Sequence, residues 1–170
     1  MLTKVLPLTF LLWGSQALAQ RKKSCEAMPA SNSVSFEKLS EAPWYESWTY
    51  PEGDGRCVIR SYDLKKQTML RKEKHKIFGF TSKRETLPFI IQDNVQYLSR
   101  DGSMYQQVLA TDNSTWAFIH VCWEGDGVRN LILLTRDRWS RIPPFVDQQI
   151  LNVLQEAQMG PLVLSATRCA

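Results

Sequence analysis

The chain has 170 residues, a formal net charge of +4 and 44% hydrophobic residues, with four cysteines and two histidines. That length gives one domain with room for a sizeable core. The charge is too weak to argue for a nucleic-acid partner, and the basic cluster Arg21-Lys22-Lys23 reads as a solvated terminus.

Residues 1–19 read as a signal peptide. Lys4 supplies the positive start, Val5 to Trp13 is mostly apolar, and Ala17-Leu18-Ala19 is a small-residue cleavage site. The apolar run falls short of the ~20 residues that a transmembrane helix requires. The domain is therefore expected over 20–170, soluble and secreted, without a transmembrane segment.

After a polar lead over 20–35, strand-like runs follow at 44–51, 57–64, 68–80, 86–92, 94–99, 104–111, 115–123 and 129–136. Aromatic and β-branched residues fill them, and several are separated by turn residues such as Gly53-Asp54-Gly55, Asp101-Gly102, Asp112-Asn113 and Gly125-Asp126-Gly127. In "TMLRKEKHKI" the basic residues suit the outward face of a long exposed strand. Eight short strands at regular spacing predict an all-β meander, closed as a barrel or folded as a sandwich.

One helix is predicted between Pro143-Pro144 and Gly160-Pro161. Phe145, Val146, Ile150, Leu151, Val153, Leu154 and Ala157 recur at helical spacing, so it should pack on the outside of the sheet. A last strand is expected at 162–166.

Cys25, Cys57, Cys122 and Cys169 form no metal-binding spacing. In an exported protein they read as two disulfides, with three pairings open. Asn113-Ser114-Thr115 is an N-glycosylation sequon. The chain has no G-x-S-x-G, no H-E-x-x-H and no glycine-rich phosphate loop, so it does not read as an enzyme, and no cofactor or metal is expected. His75 lies among lysines and reads as solvated.

The order of elements and three short motifs resemble the lipocalins, most closely the apolipoprotein D and insect bilin-binding branch. The family's G-x-W-Y is matched by Ala42-Pro43-Trp44-Tyr45 without its glycine. Its T-D-Y is matched by Thr111-Asp112, with Asn113 in place of tyrosine, and its closing arginine by Arg136. "CVIRSYDL" is similar to the branch's second strand and "VLATDNSTWAFIHVC" to its sixth-to-seventh hairpin; the resemblance covers about 35–170.

The resemblance implies an eight-stranded antiparallel up-and-down barrel with one C-terminal α-helix packed outside. It implies disulfides Cys25–Cys122 and Cys57–Cys169, and a stack of Trp44 on Arg136 at the closed end. It also implies a carrier of one small hydrophobic ligand (a lipid, retinoid, sterol or pigment), with a cell-surface receptor as a further partner. The alternative is a filled barrel that acts by binding proteins, as an inhibitor or in defence.

Strand alternation from these anchors turns Trp44, Glu46, Trp48 and Tyr50 inward, with Tyr45 and Ser47 outward. It turns Val58, Arg60 and Tyr62 inward on the second strand, and Ala117, Ile119, Val121 and Trp123 on the seventh. His120 shares the outward parity of Cys122. The expected ligand-binding set is Trp48, Tyr50, Val58, Arg60, Tyr62, Tyr97, Val108, Ala117, Ile119, Trp123 and Ile132, in an apolar, aromatic interior with a few polar groups. Arg60 needs a partner there, either Glu46 or a ligand carboxylate, and the internal pair is favoured because it needs no ligand.

Overall fold

The computed structural model describes residues 28–29, 31, 33–53, 56–74, 81–92, 96–99, 104–123 and 128–169. The predicted signal peptide, Cys25 and His75 lie outside them. The elements are α1 (Phe36–Ser40), β1 (Trp44–Tyr50), β2 (Cys57–Asp63), β3 (Thr68–Lys74), β4 (Thr81–Gln92), β5 (Gln96–Ser99), β6 (Met104–Thr111), β7 (Trp116–Trp123), β8 (Val128–Thr135), α2 (Pro144–Glu156) and β9 (Ser165–Ala166).

The strands form one antiparallel up-and-down sheet, in the order β2 to β8 and then β1 and β9, curled into a half-barrel. Its ends approach at β1. That strand pairs β8 from Tyr45 to Tyr50. It also pairs β2 at Trp44↔Arg60 and Tyr45↔Ile59. Further along, the same edge of β1 pairs β9 at Trp48↔Ala166 and Thr49↔Ser165. Cys169 then bonds Cys57 at the start of β2. The C-terminal tail thus straps the seam where β1 and β2 part. Cys122 is also disulfide-bonded; its expected partner Cys25 lies outside the described residues.

Alternation sorts the apolar residues into two main layers. The inner one gathers Trp44, Tyr62, Met69, Phe89, Val108, Ile119 and Leu134, with Phe36 and Leu39 of α1 beneath them. The outer one packs α2 through Val146, Ile150, Val153 and Leu154 onto Leu109, Trp116, Phe118, Leu131 and Leu133 of the sheet. Phe145, predicted on the packed face of the helix, is 63% exposed; its neighbour Val146 takes the buried place in the first turn.

Three elements differ from the sequence reading. α1 falls in what read as unstructured lead and boundary; Ser35 caps it through its side chain. β4 begins at Thr81, ahead of the predicted 86, and pairs β3 as far as Lys74; residues 75–80 of the predicted basic strand lie outside the described residues. The last strand is only Ser165–Ala166, and Val163, predicted within it, is 83% exposed.

Candidate functional site

The closed end is built around Trp44, which is fully buried. Its indole Nε1–H donates to the Leu39 carbonyl at 2.7 Å, the last turn of α1. Arg136 lies over the ring with its guanidinium carbon 3.7 Å from the centroid. Its donors reach the carbonyls of Lys38 at 2.7 Å, Pro43 at 3.3 Å and Ser114 at 3.4 Å, and that of Ala42. One cation thus gathers carbonyls from α1, the Ala42-Pro43 segment and the β6–β7 turn.

Asn113, where the family motif has tyrosine, adopts a left-handed φ of 63°, which asparagine tolerates better than most residues. Its side chain accepts from Ser35 N and donates to Ser33 O, both at 2.7 Å. A glycan on Nδ2 would replace one of the two hydrogens that this amide has to offer. The side chain therefore ties the N-terminal segment to the turn.

Above this plug the interior divides. Tyr62, Val108, Ala117 and Ile119, all expected to line a ligand, pack against one another in the closed half. A buried polar network lies over them. Arg60 Nε donates to Glu46 Oε1 at 2.5 Å, and Arg60 Nη1 to Gln106 Oε1 at 2.7 Å. Gln106 Nε2 donates to the Tyr62 hydroxyl at 3.0 Å. Arg60 and Glu46 are 4% and 5% exposed, so each is the other's main compensation for lost water. Burial also pushes the Tyr62 phenol up, partly offset by the Arg60 charge.

The open half holds a cavity of about 360 Å³. The β7–β8 side is mostly apolar, with Val121, Trp123 and Ile132 beside Asn130. The β2–β4 side carries Arg56, Arg71, Lys83 and Glu85 beside Val58, and Thr49 comes from β1. Arg56 Nη1 pairs Glu73 Oε2 at 2.9 Å, and Arg71 pairs the other oxygen of the same carboxylate. Those two guanidinium groups hold the Glu73 carboxyl below its usual range although burial opposes them.

Val58, Arg60 and Trp123 line the cavity from the inward positions that alternation gave them, and Ile132 of the expected set lines it too. Trp48 and Tyr50 do not. A β-bulge between Glu46 and Trp48 inserts Ser47 into the ladder. Ser47 and Trp48 then both face outward, and Thr49 takes the inward place. Trp48 packs in the α2 layer, its ring 6.4 Å from that of Trp139. Tyr50 is 37% exposed on the outer surface. The side chain of Tyr97 lies outside the described residues. Arg71, assigned outward with the basic run, lines the interior, so that interior is more charged than the apolar one expected. Continuing the alternation back from Val108 would have found Gln106.

His120 faces outward from β7 and is fully buried beneath the N-terminal segment and the end of α2. Loss of water, reinforced by the positive charge of Arg129, lowers its pKa from 6.5 to about 4. Between those two values the unfolded chain binds more protons than the folded one, so stability is full above pH 6.5 and drains as the pH falls toward 4. Denaturant midpoints at pH 7 and pH 5 should therefore differ more in the wild type than in His120→Phe. Equal differences would remove His120 as the source.

No helix among the described residues is long and apolar enough to cross a membrane, and no His, Cys, Asp and Glu group among them is placed to hold a metal. No protein-family model and no curated protein matches the sequence. Solved structures do match. The major allergen Per a 4 from cockroaches aligns over 85% of this chain and 94% of its own, with TM-score 0.67 and 13% identity. An LTBP1 variant in complex with leukotriene C4 aligns over 83% and 91%, with TM-score 0.60 and 16% identity. The siderocalin Ex-FABP aligns over 76% and 93%, with TM-score 0.56 and 15% identity. At these identities the match is one of architecture, and the architecture, an up-and-down antiparallel sheet curled over a plugged floor with one helix outside, is the lipocalin fold.

Proposed function

We propose that the chain is a secreted carrier that holds one small hydrophobic or amphipathic molecule, without chemistry, in the open half of a closed eight-stranded barrel. The observation that carries this reading is the cavity of about 360 Å³ above the buried polar network. It lies within the range of small-molecule pockets, roughly 300–1,000 Å³. Its walls differ in chemistry. A ligand's apolar body fits Val121, Trp123 and Ile132, and a polar or anionic end fits the wall of Arg56, Arg71 and Lys83.

Two comparisons support the class. LTBP1 is in complex with leukotriene C4, and Ex-FABP is a siderocalin with dual ligand specificities. The Cys57–Cys169 disulfide suits an exported chain, as does the predicted leader. The branch of apolipoprotein D and the insect bilin-binding proteins remains our reading of the motifs. The chain is not read as an enzyme, because Glu46, the acid expected inside, is bonded to Arg60 rather than poised for a substrate.

A native mass spectrum of protein purified from its own source should show a copurifying small molecule. Delipidated protein, titrated with a fatty acid, retinol, a sterol and a bilin, should take up at least one in a 1:1 ratio with quenching of tryptophan fluorescence. Val58→Trp, which fills the cavity, should weaken that uptake at least tenfold. No bound molecule and no quenching by the whole panel would leave the protein-binding, filled-barrel reading in its place.

A further inference from the structure

On the outer surface, a cleft of about 140 Å³ lies between the sheet, the end of α2 and the N-terminal segment. The sheet contributes Tyr50, His120, Arg129 and Leu131; the end of α2 contributes Ala157 and Met159; the segment contributes Met28 and Pro29. We propose that this cleft is a second binding site, for a small aromatic molecule that carries a hydroxyl group. The inference is independent of what the barrel cavity holds.

The first support is His120. The residue is fully buried and lines the cleft. Among the described residues, neither of its ring nitrogens has a hydrogen-bond partner. Buried polar groups are otherwise almost always paired. The nearest aromatic ring, Tyr105, stands edge-on with centroids 6.1 Å apart, and its hydroxyl donates instead to Gln107. A neutral imidazole presents one donor and one acceptor, and here no protein partner fixes which nitrogen carries the proton. Neither nitrogen is open to solvent, so a ligand meets one only as the side chains over it give way; a hydroxyl group, which both donates and accepts, then satisfies whichever nitrogen it meets. An amine or ammonium ligand is disfavoured by the positive charge of Arg129 on the same wall.

The second support is size and lining. An apolar cavity of about 150 Å³ takes a molecule the size of benzene. The thioethers of Met28 and Met159 are good neighbours for a ring, since sulfur makes favourable contacts at aromatic edges. The lip of the cleft is also held in place. Gln107 accepts from Met28 N at 3.0 Å and donates to Met28 O at 2.6 Å, a two-point clasp on the N-terminal segment.

The site does not communicate with the barrel cavity. Ile119 and Val121 face the interior on either side of His120, so the sheet itself is the partition.

The test uses the full chain labelled with 15N-histidine, with His75→Gln so that His120 gives the single histidine signal. The probes are p-cresol and toluene, which differ by the hydroxyl. Cresol should shift the ring nitrogens of His120 and bind at least tenfold more tightly than toluene. His120→Phe should bring cresol down to the level of toluene, read by ligand-detected NMR. Ala157→Leu, which fills the cleft from the helix end, should abolish binding of both. Val58→Trp, which fills the barrel, should leave cresol binding intact. Equal binding of the two probes, no shift at His120, or loss of cresol binding in Val58→Trp rather than in Ala157→Leu would each overturn the proposal. None of these outcomes bears on the carrier reading.

Discussion

Trp44→Ala should lower stability by about 3–5 kcal/mol, the range for truncating a large buried aromatic. Three losses combine at this position. The indole is fully buried among Leu39, Tyr62 and the rest of the inner layer. Its Nε1–H supplies the Leu39 carbonyl with its shorter bond, at 2.7 Å; the other comes from Arg136 at 3.4 Å. The ring is also the platform on which Arg136 lies. Arg136→Ala should cost less, because that side chain is only half-buried and its carbonyl partners are close to water. The stack itself contributes about 1–2 kcal/mol in a partly desolvated setting. The double variant should therefore cost less than the sum of the singles by a similar amount, as expected for residues in contact. Denaturant melts of the four proteins measure this cycle. Strict additivity would mean that the stack does not hold in solution.

The residues that plug this end were legible through the resemblance, whose motifs mark Trp44 at the start of the first strand and Arg136 after the eighth; the stack they imply is the one observed. On β7, unbroken alternation placed Ala117, Ile119, Val121 and Trp123 inward, and His120 and Cys122 outward. Alternation failed where the ladder gains a residue. The bulge at Ser47 follows Trp-Tyr-Glu and carries no glycine to announce it, yet it reverses every side chain after it. That one residue moved Trp48 and Tyr50 out of the site and brought Thr49 in.

The charged wall was missed for a different reason. A run such as "RKEKHK" reads as solvated because an isolated buried charge is expensive. Glu73 removes the objection by accepting from Arg56 and Arg71 together. Arg71 and Glu73 share one face of β3, two residues apart, so that half of the compensation lies along the strand; the other half, Arg56, comes from beside β2 and is not visible in the run itself. α1 was missed because five residues are too few to show a helical period.

The largest effect expected inside the barrel comes from separating Glu46 and Arg60. Removing one partner of a buried ion pair strands the other, at about 3–5 kcal/mol. Glu46→Ala and Arg60→Ala should each fall in that range. Replacing both together with Leu and Met should be far milder, since no charge is then left without its counterion. Ligand choice follows from the same pairing. Glu46 already neutralises Arg60, whose Nε and Nη1 are engaged by Glu46 and Gln106, so its net attraction for a ligand carboxylate is small. A fatty acid and its methyl ester should keep the same affinity ratio in the wild type and in the double variant Glu46→Gln/Arg60→Met, which removes the pair without stranding a charge. Any preference for the acid then belongs to Arg71 or Lys83 at the open wall. Glu46→Gln should change this, because it removes the negative charge while keeping the side chain's shape. Arg60 then becomes an unneutralised cation beneath the cavity, and the acid should gain at least tenfold over the ester. If instead the wild type prefers the acid and the Glu46→Gln/Arg60→Met double variant erases the preference, Arg60 reaches the ligand directly. The internal pair would then be a resting arrangement that the ligand displaces.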